Sequence, residues 1–232
     1  MALNDTVLDY CERLGPGLLA EPLNALSNLA FFYVALRLWQ SSLVLARGDG
    51  AHARLAPMQA VLALLLACVG AGSLAFHTLA TVWAGLLDVV FIGVFNVAYL
   101  IVFLRWVGRW KWRAAGAGGL AFVVVNQLAG QWLPTGLLNG SLLYLPAALV
   151  LVGLTGWALR AAPAAGRQMA AACGVFGLSL LLRTLDRPLC GEWPWGLHFA
   201  WHLLNAWVLY RLATALERAP PERRPASPGN PG

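Results

Sequence analysis

Charge is scarce throughout this chain of 232 residues: only 11% of them are Asp, Glu, Lys or Arg. A water-soluble domain carries about a quarter, so the polar surface needed to cover a soluble particle is missing. Four cysteines with no C-x-x-C pair exclude a disulfide-scaffold protein. The opening "MALNDTVLDYCERL" has neither a basic stretch nor an apolar run behind it, which predicts no secretory signal. No ten-residue alternation of apolar and polar residues marks a membrane barrel. The net charge is +6, but the arginines are scattered over connections and build no basic face interleaved with aromatics, which argues against nucleic acid. No soluble domain and no internal repeat stand out.

Hydrophobic residues, by contrast, make up 59% of the chain, with eleven tryptophans and a mean hydropathy of +0.67. A bilayer core about 30 Å thick needs roughly 20 apolar residues per helical span. Seven such runs lie at about 22–43, 57–79, 82–106, 114–133, 141–160, 168–187 and 196–216. Helix is the reading for all of them, because unpaired backbone is costly in lipid. The expectation is an all-α, polytopic bundle of seven transmembrane helices. It divides into an acidic outer segment 1–21, a transmembrane domain 22–216 and a polar, Pro/Gly-rich tail 217–232 expected to be disordered.

Loop charge assigns the orientation. Asp5, Asp9, Glu12 and Glu21 crowd the N-terminal segment. Arg47 and Arg54, then Arg105, Arg109, Lys111 and Arg113, then Arg160 and Arg167 mark alternate connections, and Arg218, Arg223 and Arg224 mark the C-terminal end. The positive-inside rule therefore puts the N-terminus outside and the C-terminus in the cytoplasm, as an odd number of spans requires. Abundant alanine and arginine with short loops fit a bacterial inner-membrane protein.

Ionisable side chains inside such spans are expensive, and each is a functional candidate. "GSLAFHTLATVWAGLLD" (72–88) places Ser73 and His77 four residues apart on one helix face, with Asp88 in the following helix. "LHFAWHLL" (197–204) places His198 and His202 on one face of the last span. In the assigned topology all of these lie at one depth in the outer leaflet. Three neutral imidazoles suit Zn²⁺ with a fourth position left open for water. A carboxylate such as Asp88 is placed to move protons, and Ser73 to hydrogen-bond a developing oxyanion. Interhelical hydrogen bonding by the histidines, or a proton relay in a transporter, explains the same spacing. Bis-histidine haem does not, because ligands one turn apart on one helix cannot take opposite faces of a porphyrin. The only other histidine, His52, falls in a cytoplasmic connection. Asp186 and Arg183 read as a structural ion pair at i, i+3. Asn24, Ser27 and Asn28 read as interhelical glue, and Cys68 and Cys173 as packing.

"DYCE", "AEPLNALSNLAFF", "GSLAFH…D", "LDRPLC" and "HFAWH", in that order, resemble the alkaline ceramidases. These belong to a wider group of seven-helix membrane hydrolases that includes adiponectin-receptor-like and GPI-remodelling proteins. The resemblance covers spans one, two, three, six and seven. It implies a zinc-dependent amidase that cleaves the N-acyl bond of ceramide to a sphingoid base and a fatty acid. Carried over by position, His77, His198 and His202 are the zinc ligands, and Asp88 and Ser73 contact the catalytic water and transition state. Asp9, Tyr10 (through its carbonyl), Glu12 and Glu21 match a calcium-binding N-terminal loop, oxygen donors being what Ca²⁺ prefers. Cys11 and Cys190 match positions that form a disulfide.

Three departures stand beside the match. Leu14 occupies a position where the family has Asn, "VVFI" follows Asp88, and Arg183 replaces an aromatic. The implied partners are a membrane lipid substrate, ceramide or another N-acyl lipid, and the bilayer itself. No nucleic acid and no obligate protein partner is indicated. A lipid sensor with a structural zinc and a proton-coupled transporter are the competing functions.

Overall fold

The structure, a computed structural model, describes residues 2–219 apart from 16 and 135. Its helices are α1 (Pro22–Ser27), α2 (Leu29–Arg47), α3 (Ala51–Leu79), α4 (Val82–Trp106), α5 (Trp112–Trp132), α6 (Leu145–Ala161), α7 (Pro163–Leu185) and α8 (His198–Ala215). A 3₁₀ stretch, Leu137–Tyr144, leads into α6, and short 3₁₀ turns follow α7 and α8. One isolated bridge, Thr6 to Thr81, is the sole β pairing among the described residues. The protein is all-helical, as the apolar runs predict.

Five segments are long and apolar enough to cross a membrane: Pro22–Arg47, His52–Leu79, Val82–Trp106, Leu137–Ala161 and Pro163–Leu185. The other two expected spans, α5 and α8, are helices of 21 and 18 residues that fall short of that standard. Their composition explains it. Arg113, Asn126, Gln127, Gln131 and several glycines dilute α5, and His198, His202, Asn205 and Arg211 dilute α8. The protein is an integral membrane protein by its long apolar helices, many of whose large side chains face outward, among them Leu64, Val89, Val124, Leu149 and Val152.

α8 is the most enclosed helix. It packs against α1, α2, α3 and α7, and ten of its residues are buried. Lipid gives no hydrophobic drive for helices to associate, so close fit and interhelical hydrogen bonds must supply it. Small buried residues line the contacts, including Ala84, Ala115, Ala158, Ala165, Ala172 and Ala213. At the end of the bundle away from the histidines, Gln59 on α3 donates to the Ala213 carbonyl and to Glu217, each at 3.0 Å. Gln168 on α7 donates to the Arg211 carbonyl and the Thr214 hydroxyl, each at 2.7 Å.

The element bounds depart locally from the sequence expectation. The first span is interrupted at Asn28, where α1 gives way to α2. The second span begins at Ala51 and carries Pro57 inside its second turn. The expected tail also starts later: Leu216–Arg218 forms a 3₁₀ turn in which Glu217 accepts a hydrogen bond from Ser41 at 2.8 Å. The rest of the tail, 220–232, lies outside the described residues.

At the opposite end, only Ala80 and Thr81 separate α3 from α4. Ala80 adopts the left-handed conformation (φ 47°) that closes α3. The N-terminal segment runs across this turn, with Val7 N–H bonding the Ala80 carbonyl at 2.8 Å and Val82 N–H the Asp5 carbonyl at 3.1 Å. A disulfide joins Cys11 to Cys190 across 179 positions, so the same segment is pinned to the α7–α8 connection.

Candidate metal centre

The two-residue turn sets the last two turns of α3, carrying Ser73 and His77, beside the second turn of α4, carrying Asp88. α8 begins at His198, so His198 and His202 occupy its first and second turns. The three histidines meet there. Each is buried and offers a ring nitrogen within 4.8 Å of the other two. Ring centroids lie 5.1 Å apart for His77–His198, 4.7 Å for His77–His202 and 4.6 Å for His198–His202.

Each imidazole is held by a different neighbour. His77 Nδ1 lies 2.5 Å from Glu21 Oε2, and His202 Nδ1 lies 2.7 Å from the Ser27 hydroxyl. A proton on each Nδ1 leaves Nε2 with a free lone pair, the state a metal ligand requires. The Tyr10 ring stacks on His198 at 3.8 Å between centroids. Asp186 fixes the start of α8, its Oδ1 accepting the Leu197 and His198 N–H groups at 2.6 and 2.9 Å. Gly196 makes this possible: its φ is +66°, and a Cβ there would collide with Asp186 Oδ1 and press on Cys11.

Buried polar atoms without partners are rare, and here they cluster. His77 Nε2, His198 Nδ1 and Asp88 Oδ1 accept or donate nothing within the chain. His202 Nε2 has only a 3.5 Å contact, to the Ser73 hydroxyl. A metal ion on the three rings satisfies the imidazole nitrogens, so the donor set fits. The arrangement could hold a metal.

Asp88, Ser73 and His202 also line the head of a cavity. Beyond them the walls are mostly apolar, with Phe31, Ile92, Leu100, Val150 and Leu209 among them, and Asn96 and Asn205 also line the cavity. A cavity with the His202 imidazole, a carboxylate and a hydroxyl at one end and a largely apolar body suits an amphiphile whose reactive group sits at the polar end.

The family model for ceramidases matches residues 4–221. This chain belongs to the ceramidase family. Neither a curated protein nor a solved structure matches it. Membership makes the ceramidase-family chain a hydrolase acting on an amide bond, with ceramide the substrate it suggests and a membrane lipid as its partner.

Not every expected residue takes its expected place. Among the described residues the histidine trio is the one group of three or more His, Cys, Asp or Glu side chains gathered closely enough to hold a metal, and Asp9, Glu12 and Glu21 form no second such group. Asp9 is exposed. The Tyr10 carbonyl accepts the Arg13 N–H at 3.2 Å. Glu12 spends both oxygens on the N–H groups of Leu23 and Asn24, at 2.6 and 2.9 Å. Glu21 is shared between His77, Arg13 and Asn24. Burial pushes the Glu21 carboxyl up, but hydrogen bonds from His77, Arg13 and Asn24 outweigh it and hold the group below the usual carboxylate range. Asp186 and Arg183 form no ion pair either. Arg183 donates to the Asn139 carbonyl at 2.5 Å and stacks on Tyr144 and Trp201.

Arg13, Ser27 and Asp186 are the site residues that sequence reasoning misses. One signal was available: "E-P-L-N-A-L-S" spaces Glu21, Asn24 and Ser27 three apart, a polar stripe at the start of an apolar helix.

Proposed function

We propose that the chain is a zinc-dependent membrane amidase that hydrolyses ceramide or a closely related N-acyl lipid. The observation that carries this reading is the convergence of His77, His198 and His202, with two of their Nδ1 atoms held by Glu21 and Ser27, beside an Asp88 oxygen that has no partner. Three imidazoles are a ligand set suited to Zn²⁺. Zinc bound there supplies Lewis acidity to the amide carbonyl and to water at neutral pH.

The chain's own groups carry the rest. The acyl chain lies in the apolar part of the cavity, which brings the amide to the polar head and keeps bulk water away. Asp88 Oδ1 takes a proton from the water that attacks the amide carbon. It returns that proton to the nitrogen as the C–N bond breaks, releasing a fatty acid and an amine. The Ser73 hydroxyl donates to the oxyanion that develops on the carbonyl oxygen.

We read α5 and α8 as crossing the bilayer too, which gives seven spans with the N-terminus outside. The Cys11–Cys190 disulfide supports this orientation, because it closes on the histidine side of the bundle and persists only in an oxidising compartment. Arg47, Arg54, Arg105, Arg109, Lys111, Arg113, Arg160 and Arg167 mark the connections at the other end. The site then opens towards the outer leaflet.

Elemental analysis of the detergent-purified protein tests the metal centre. About one zinc per chain in the wild type, lost in a folded His198→Ala variant, is the expected result. A wild type that is folded, never chelated and free of zinc would refute it.

A further inference from the structure

The family resemblance implies a calcium ion in the N-terminal loop, but the structure places a buried guanidinium among that loop's oxygens. Arg13 is buried, and its guanidinium points into the fold of the N-terminal loop. Nε donates to Glu21 Oε1. Nη1 reaches the carbonyls of Gly15 and Gly17 at 3.4 and 3.3 Å, and Nη2 donates to the carbonyl of His77 at 2.9 Å. Carboxylate and carbonyl oxygens are the donors a calcium site collects. Here they converge on a guanidinium.

The remaining acidic groups do not gather around that point. Both Glu12 oxygens are engaged by backbone N–H groups, Asp9 is exposed, and Leu14, standing where a family member has Asn, is exposed and brings no oxygen. A divalent cation placed among the same acceptors would sit against a buried positive charge with little solvent to screen it.

We infer that Arg13 is a built-in cation that replaces calcium in the N-terminal loop, and that it is a positioning residue for the histidine centre. The positioning runs through two contacts. Arg13 holds one Glu21 oxygen, which leaves the other on His77 Nδ1, and it grips the His77 carbonyl at the end of α3. A carboxylate that orients a ligating histidine typically changes metal affinity about 10- to 100-fold when it is lost. The charge that orders the loop is therefore part of the polypeptide and cannot dissociate. The calcium half of this inference stands alone, whereas the positioning half rests on the zinc reading given above.

The test uses full-length protein in detergent. Calcium chloride is titrated to about 1 mM, the upper range for extracellular calcium modules, into EGTA-treated wild type. Heat of binding and the melting temperature are followed. The expected result is no saturable heat and no shift in Tm. Zinc affinity is then compared in Arg13→Gln and Arg13→Lys. Glutamine should weaken zinc about tenfold or more, and lysine, which keeps the charge on Glu21, should recover much of that loss. Saturable calcium binding by the wild type would overturn the replacement. Wild-type zinc affinity in a folded Arg13→Gln protein would overturn the positioning role. Should the glutamine variant not fold, a lysine variant that binds zinc no better than His198→Ala would overturn it as well. Absence of zinc from the wild type would refute the metal centre, while the calcium titration would still decide what fills the loop.

Discussion

At the residue scale the centre depends on which nitrogen each imidazole presents. Glu21 and Ser27 take the Nδ1 atoms of His77 and His202, so their Nε2 atoms face the shared space without any change of rotamer. The four-residue spacing of His198 and His202 makes their common face legible in the sequence, and the Ser73–His77 spacing does the same for α3. The partners of these residues are not legible, because a carboxylate in a loop looks the same whether it meets an ion, an arginine or an imidazole. Glu21 shows the difficulty: its three partners come from Arg13, Asn24 and His77, and only the fold brings the last of these, 56 positions away, within reach. Asp88 is the residue whose chemistry is easiest to isolate. Asp88→Asn keeps the size and removes the base, so the variant should retain its zinc and lose about 10²- to 10⁴-fold in kcat. Metal content and turnover measured on one preparation check this, and unchanged turnover in the zinc-loaded variant would remove the proton-transfer role.

At the scale of elements, the apolar runs locate the helices well because length and hydrophobicity alone decide where a chain can cross lipid. The breaks within them are a different matter. The 3₁₀ entrance to α6 contains Leu138, Asn139 and Gly140 with positive φ, and tertiary contacts hold it: Arg183 donates to the Asn139 carbonyl, and Asn139 Nδ2 donates back to the Arg183 carbonyl at 3.1 Å. No local periodicity announces that exchange. The α6–α7 hairpin has an equally non-local requirement. Gly166 lies so close to the backbone of Ala158 and Leu159 that a Cβ would collide with it, whereas Gly174 on the same helix has open space around its Cβ position. Gly166→Ala should therefore lower stability by about 1–3 kcal/mol, while Gly174→Ala should be neutral or slightly stabilising. Thermal melts of the two variants in detergent compare them directly, and equal melting temperatures would show that the hairpin relaxes around the added methyl.

For the whole molecule, the design places a polar centre at one end of a greasy bundle and ties that end shut. The N-terminal segment bonds across the α3–α4 turn, the disulfide joins it to the α7–α8 connection, and Arg13 knits its loop to His77. The cavity runs from this fastened end into the apolar interior, so a lipid can extend its chain along the bundle while its amide stays at the histidines. Family membership gives the class of reaction, and the residues present give a way to perform it. The measurement that bears most directly on this account is ceramide turnover by one preparation of wild-type protein, assayed as purified, after a strong chelator, and after zinc is returned. His198→Ala is carried through the same steps. The account predicts multiple turnovers that vanish on chelation and return with zinc in the wild type, and no recovery in the variant. Ceramide hydrolysis that persists in fully metal-free protein, or in His198→Ala at the wild-type rate, would contradict it.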